Sequence, residues 1–218
     1  MDLQTQQKWD RASRTYDFFA TVDDRRLGIE KQKLLAKMRG KSLHVAAGTG
    51  NDYKFLPPGM DIVSIDISPK MLEQAKIKAA NYQASIELRE ADVHNLDFPD
   101  ETFDTIATVF TFCSVPKPIT GLRELYRVLK PGGQILMLEH VRSTAIGPVG
   151  IMMDLMTLLT RRFGPELNRD TVGNVQKAGF RLRRVENIYL DVVKTIEAVK
   201  DGCRRSTLAA MPSSARSV

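Results

Sequence analysis

A chain of 218 residues with an ordinary apolar fraction of 43% is long enough for one α/β domain with a real core. Its formal charge of +6 is spread over basic residues in several places, which describe either a solvated surface or one that attracts anionic lipid, nucleic acid or acidic substrates. Two cysteines exclude a disulfide framework, no run approaches the roughly 20 apolar residues of a membrane span, and the polar residues 1–9 lack the apolar core of a secretory signal.

Trp9, Ala12, Tyr16 and Phe19, spaced by three or four, predict one face of a helix over residues 3–19. Leu27, Leu34, Leu35 and Met38 predict a second helix over 24–38, stopped by Gly40. Strands are expected over 42–47 and 61–65. Ser68 can cap the next helix, with Pro69 at its first position and Met71, Leu72, Ala75 and Ala79 facing inward. Residues 85–89 alternate as a third strand, and the β-rich run 103–111 is a fourth. A helix over 119–129 ends at Lys130-Pro131-Gly132-Gly133, followed by a fifth strand over 134–140. A Met-rich helix over 150–163, a helix over 170–178 and two closing strands over 181–189 and 191–199 complete the reading. The Ser/Ala/Arg-rich tail, 201–218, has the composition of a disordered segment.

Strands alternate with helices through the first five strands, which argues an α/β doubly wound, mostly parallel seven-stranded sheet with right-handed crossovers and an antiparallel finish. Residues 1–200 read as a single domain, with 1–40 as an N-terminal helical lid.

The stretch from Ser42 to Asp66 is the most informative. A buried strand, a tight turn at Gly48-Thr49-Gly50, a short helix and a strand ending in Asp66 bring a backbone loop and a carboxylate to one sheet edge. Such a loop can lie against a nucleoside, and the acid can accept hydrogen bonds from two ribose hydroxyls. The spacing is not the dinucleotide fingerprint, since no frame places glycines at G-x-G-x-x-G, and no Gly-Lys-Ser/Thr follows Gly48 as a P-loop requires. Asp92, after the third strand, stands where an acid can meet an adenine amino group.

Gly48-Thr49-Gly50, Asp66, Asp92, Phe103-Asp104 and Pro131-Gly132-Gly133, in that order, resemble the class I S-adenosylmethionine-dependent methyltransferases over nearly all of residues 9–200. The resemblance implies S-adenosyl-L-methionine as cofactor and S-adenosyl-L-homocysteine as its product. It implies that Gly48, Thr49 and Gly50 approach the methionine part and that Asp66 binds the ribose. Ile67 and Met71 would flank the adenine, with Asp92 and Val93 at its rim. Thr108 would lie near the sulfonium, and Tyr16 would cover the cofactor. The chain departs from the family's Glu-x-Gly-x-Gly-x-Gly pattern: His44 stands for the acid and Ala46, still counted with the cofactor residues, for the first glycine. Ala46 costs little if its φ is negative. His44 removes a fixed negative charge, so weaker cofactor binding, a compensating acid, or a cofactor-binding protein without turnover all follow as alternatives.

Methyl transfer needs alignment and water exclusion more than catalytic side chains, so the acceptor is hard to read. His140, at the carboxyl edge after the fifth strand, is a candidate base or orienting group, or a structural histidine. The Met-rich segment suits an adaptable apolar surface or ordinary packing. The N-terminal helix can cover the cofactor or lie on an anionic membrane.

The runs Phe112-Cys113-Ser114-Val115 and Glu139-His140-Val141, with Leu167-Asn168-Arg169-Asp170, are similar to those of the membrane-associated alkyl-thiol methyltransferases. Bacterial phosphatidylethanolamine N-methyltransferases and the ubiquinone/menaquinone C-methyltransferases are similar over the same length. All take lipophilic acceptors, so the expectation is methylation of a phospholipid amine or a thiol, with a quinone carbon as the alternative. A cytoplasmic location with peripheral contact to an anionic membrane accords with that. A nucleic-acid acceptor is disfavoured, because Thr111-Phe112-Cys113-Ser114 stands where a base-amine motif would be. His44, His94 and His140 lack metal-ligand spacing, and the oligomeric state is left open.

Overall fold

The computed structural model describes residues 1–143 and 168–202, together with residues 155, 157 and 166. The Met-rich helix expected over 150–163 and the tail from residue 203 lie outside the described residues.

The chain opens with a single helix, α1 (Leu3–Leu35), of 33 residues, where the sequence predicts two. No proline or glycine lies between 19 and 24, and Thr21 Oγ1 donates back to the Asp17 carbonyl at 2.7 Å, so the backbone runs on and spans about 50 Å. Asp2 caps it, accepting from the backbone N–H groups of Gln4 and Thr5 at 3.0 and 3.3 Å. Gly28 is tolerated inside the helix because a Cβ there would come within 3.3 Å of the Phe55 ring, so its absence lets α1 pack closely.

β1 (Ser42–Val45) leads through a 3-10 turn (Asn51–Phe55) to β2 (Asp61–Asp66). Helix α2 (Pro69–Ala79) starts as the sequence requires: Pro69 sits in its first turn, and Ser68 Oγ accepts from the Met71 N–H at 3.1 Å. β3 (Ser85–Glu90), β4 (Phe103–Val109) and α3 (Pro118–Val128) follow. β5 (Leu129–His140) begins earlier than expected, because Leu129 already pairs with Phe103 before the Pro-Gly-Gly segment interrupts the register. α4 (Thr171–Lys177), β6 (Arg181–Tyr189) and β7 (Val193–Val199) close the fold.

The seven strands are ordered β3-β2-β1-β4-β5-β7-β6, with β1 to β5 parallel and β7 antiparallel to both of its neighbours. The central strands are buried on both faces, which explains their continuous apolar runs. One face packs Leu43, Val63, Ile106 and Ile135 against Leu122 and Leu125 of α3 and Val175 of α4. The other packs Ile62, Ala107, Leu136 and Leu138 against Leu27, Leu34 and Leu35 of α1 and Ala75 of α2. Alternation along β1 therefore sends Leu43 and Val45 to the α3 face and His44 to the α1 face. Among the described residues no helix is long and apolar enough to cross a membrane.

Candidate cofactor and acceptor site

The neighbours of β1 are β2 and β4, so the order of connection reverses there and a crevice opens beyond the carboxyl ends of these strands. The loop leaving β1 turns through left-handed backbone at Ala46 (φ 58°), Gly48 (φ 53°) and Gly50 (φ 79°). Ala46 thus lacks the negative φ that would have made it harmless: it occupies a conformation that strains a residue with a Cβ.

Asp66, at the end of β2, fixes this loop. Its Oδ2 accepts the Gly48 N–H at 2.8 Å and its Oδ1 accepts the Ser68 N–H at 2.9 Å. Burial pushes the Asp66 carboxyl up to about 6, and these backbone donors restrain the rise. A carboxylate has about four acceptor positions, so two donors leave capacity for a ligand's hydroxyls.

Asp92, after β3, accepts the Asp2 N–H on Oδ2 at 3.0 Å, and on Oδ1 both the His94 N–H and His94 Nδ1 at 3.0 and 2.6 Å. His94 Nε2 in turn accepts the Lys117 N–H at 3.3 Å, which assigns Nδ1 as the donor to Asp92. Burial would raise the Asp92 carboxyl, but the bonds from His94 and Asp2 outweigh it and hold the group below its ordinary value.

Helix α1 lies across the crevice and is tied to each part of its rim. Asp10 accepts from Ser68 Oγ at 2.6 Å. Asp17 accepts from Thr49 Oγ1, from Asn51 Nδ2 at 2.9 Å and from Lys78 Nζ at 2.9 Å. Burial raises the Asp17 carboxyl, yet these donors win and it lies below the usual range. Trp9 and Tyr16, one above the other on the helix, meet edge to face at 6.2 Å over the crevice. The Tyr16 ring passes so close to Gly48 that a Cβ there would lie 3.4 Å from it.

The opposite wall is Val109, Phe110 and Thr111 at the end of β4, then Ser114, Val115 and Pro116. Beneath that wall lies Glu139, fully buried, accepting from Thr108 Oγ1 at 2.7 Å, the Thr111 N–H at 3.2 Å and the Phe112 N–H at 3.0 Å. Burial pushes Glu139 up to about 7, with these donors opposing the rise. Arg169 clamps the same loop from outside, donating to the carbonyls of Phe112, at 3.0 Å, and Val115. It is a loop clamp in this structure and also pairs with Glu166 at 2.8 Å.

The structure gathers Tyr16, Ala46, Gly48, Asp66, Ile67, Met71, Asp92 and Val93 around one cleft. The cleft has about 720 Å³ of space continuous with solvent, and α1 lies across it. Four expected residues lie elsewhere. Thr49 is buried against Asp17, and Gly50 faces Tyr53 and α2. Thr108 points to the α3 face and spends its hydroxyl on Glu139, because the strand's alternation presents its neighbours instead. His140 is stacked on Phe110 at 4.4 Å, behind the cleft wall, and opens toward a separate groove between α1 and β6–β7. Its Nδ1 is buried without a partner, and burial pulls the ring down to about 4, so it is neutral near pH 7.

His44 also stands off the cleft wall. Its Nδ1 meets Ser64 Oγ at 3.0 Å, the same oxygen that accepts from Tyr53 Oη at 3.0 Å, and burial lowers the ring's proton affinity. The nearby acid is Asp52, which is engaged by buried Lys31 at 2.8 Å together with Asp24 at 2.8 Å. Burial pulls the Lys31 ammonium down, but Asp52 and Asp24 outweigh that and hold it above its ordinary value. The acid this motif loses at His44 is therefore not restored at the cleft by Asp52.

Thr5, His94, Phe110 and Ser114 line the cleft although the motif reading did not single them out for it. His94 follows Asp92 by two residues, a spacing from which their partnership is accessible. Thr5 and Ser114 reach the cleft only through tertiary packing. Among the described residues no group of three or more His, Cys, Asp or Glu side chains is arranged to hold a metal ion.

Residues 43–137 match the family model described as a methyltransferase domain. The chain is 33% identical over 150 residues to a demethylmenaquinone methyltransferase of Deinococcus radiodurans, covering 61% of this chain and 62% of that protein. It is 36% identical over 103 residues to a phosphatidylethanolamine N-methyltransferase of Cereibacter sphaeroides, covering 46% of this chain and 51% of the relative. The chain thus spans between about half and three fifths of the length of these relatives. Among solved structures, a possible histamine N-methyltransferase of Thermotoga maritima aligns with a TM-score of 0.69 at 18% identity, over 90% of this chain and 100% of that one.

Proposed function

Because this chain carries a methyltransferase domain with the fold of the class I S-adenosylmethionine-dependent methyltransferases, we propose that it transfers a methyl group from S-adenosylmethionine to a small lipophilic acceptor. The cleft fits the cofactor in kind. A buried carboxylate, Asp66, has acceptor positions to spare, and Ile67, Met71 and Val93 form an apolar slot for a flat ring with Asp92 at its edge. Bound there, the cofactor supplies an electrophilic methyl on a sulfonium.

The chain's own work is to hold and to exclude. Asp66 orients the ribose hydroxyls while fixing the Gly48 turn, and Asp92, steadied by His94, offers the remaining acceptor position of its Oδ2 to the adenine edge. Trp9 and Tyr16 of α1 cover the cleft and keep water from the reacting end. Asp10 and Asp17 tie α1 down over the cleft, so cofactor exchange under it requires these contacts to break.

The observation that carries the acceptor class is the apolar wall of Val109, Phe110, Val115 and Pro116 beside Trp9. Ring-carbon methylation of a quinol calls for a group to take the hydroxyl proton. Among the described residues this wall offers only Thr111 and Ser114, with His140 held behind Phe110. A phospholipid amine or a thiol also gives up one proton, but it can lose it to solvent before attack, as the free amine or the thiolate, without a base in the wall; the Cereibacter relative is named for an amine acceptor. The quinone reading is kept as the second, since the Deinococcus relative is named for demethylmenaquinone.

The test is transfer of labelled methyl into phosphatidylethanolamine vesicles, an alkyl thiol and a prenylated demethylated quinol. Label in the amine or the thiol is the expected result, and label in the quinol alone would replace the first reading with the second. Tight cofactor binding with no label in any of the three would overturn both.

A further inference from the structure

The turn between β6 and β7 breaks two rules at once. Its central residues, Leu190 and Asp191, both have positive φ, 44° and 58°, and the Val192 N–H donates to the Tyr189 carbonyl at 2.9 Å across it. That geometry favours Asn-Gly, and a Leu there is strained. The strained side chain is also presented to solvent: Leu190 is 65% exposed and Tyr189 beside it 51%. Neither the strain nor the exposure helps the fold, and together they mark a tip kept apolar for something outside the chain.

The tip's place supplies the rest. Tyr189 pairs with Val193, which pairs with His140, so the tip stands at the carboxyl edge of the sheet, the edge on which the cleft opens. Behind it runs the groove between α1 and β6–β7, lined by Leu27, Ile188, Tyr189 and Val192 and reaching His140, whose stacking partner Phe110 forms the cleft wall. Two exposed arginines border the tip. Arg26 lines the same groove, and Arg142 follows the segment whose Val141 N–H donates to the Val192 carbonyl at 2.9 Å. Neither makes an ion pair among the described residues, whereas the acid in the turn, Asp191, is neutralised by Lys194 at 2.8 Å.

We propose that the Tyr189–Leu190 tip, flanked by Arg26 and Arg142, docks on an anionic lipid bilayer and holds the carboxyl edge of the sheet, on which the cleft opens, against the membrane that carries the acceptor. An apolar wedge with cationic neighbours matches a bilayer surface, where the wedge enters the acyl boundary and the guanidinium groups meet lipid phosphates. This rests on the lipophilic-acceptor reading above, and it names the surface from which the acceptor is taken.

The experiment is flotation of the full chain with vesicles of phosphatidylglycerol and phosphatidylcholine, against vesicles of phosphatidylcholine alone. Wild type should float with the anionic vesicles, and added salt should weaken this. L190N is the discriminating variant, because Asn accepts positive φ and folding is retained, as thermal unfolding will report. L190N should lose about tenfold in vesicle partitioning, and R142E a similar amount. Methylation of a vesicle-embedded acceptor should fall in parallel, while cofactor affinity and methylation of a short-chain, dissolved acceptor stay at wild-type levels. Wild type left unbound by anionic vesicles, or L190N floating like wild type, would overturn the docking assignment. Absence of methyl transfer even to dissolved acceptors is instead the failure of the functional reading, and the flotation result then still decides the tip.

Discussion

Replacing Ala46 by glycine should stabilise this protein. Ala46 holds φ at 58° in the loop that leaves β1, where its Cβ crowds the following carbonyl at a cost of about 1–2 kcal/mol. Glycine relieves that strain but gives the unfolded chain more freedom, which returns about 0.5–1 kcal/mol. The balance is a gain of about 0.5–1 kcal/mol, or a midpoint rise of about 1–4 °C for a chain of this size. Urea unfolding followed by circular dichroism measures it, with an unchanged m-value showing that the denatured state is the same. Ala47, next in the chain and buried at 4% exposure without positive φ, is the internal control: Ala47→Gly should destabilise by about 0.5–1 kcal/mol or more. If Ala46→Gly is neutral or destabilising while Ala47→Gly behaves as stated, the loop does not hold its left-handed turn at position 46 and the strain argument fails.

Asp66→Ala should lower S-adenosylmethionine affinity about a hundredfold or more by calorimetry, since two charge-assisted hydrogen bonds to the ribose and the anchor of Gly48 go together; near-wild-type affinity would remove Asp66 from the site. Glu139 is raised in the fold from 4.5 to about 7, so its ionisation opposes folding. That cost is absent below about pH 4.5, grows as pH rises toward 7 and is constant above it, so stability should decline across this window by up to about 3 kcal/mol. Glu139→Gln should flatten that decline in urea midpoints measured from pH 4.5 to 8, and an unaltered pH profile in the variant would assign it to other groups. His140→Phe should keep the stack on Phe110 and remove a buried nitrogen without a partner, leaving stability equal or higher. Methyl transfer should persist in that variant, and a loss of several hundredfold in kcat with folding intact would return His140 to the chemistry.

The sheet was legible because its signals are local and redundant. Buried runs such as Leu43 to Val45, the cap at Ser68 followed by Pro69, and Asp66 closing β2 state their own geometry, and their order along the chain leaves few topologies for a parallel sheet. A gap in apolar spacing suggests two N-terminal helices, but it does not stop a helix when no proline or glycine intervenes.

Within the cleft, the residues legible from the sequence were those whose role is carried by backbone position: Gly48 in the turn, Asp66 at a strand end, Asp92 in the following loop. What the sequence could not settle was which way a side chain faces at the end of a buried strand, since the carboxyl halves of β4 and β5 are buried on both faces and offer no inside-outside alternation to read. Only the packed sheet sends Thr108 to Glu139 and places His140 behind Phe110. The same holds for α1, whose pattern determines a helix, while its position over the cleft depends on Asp10 and Asp17 finding Ser68, Thr49, Asn51 and Lys78 from elsewhere in the chain. Local chemistry thus specified the elements and the acid at the switch point. Which surfaces meet was decided by burial on two faces of one sheet, a property of the whole chain.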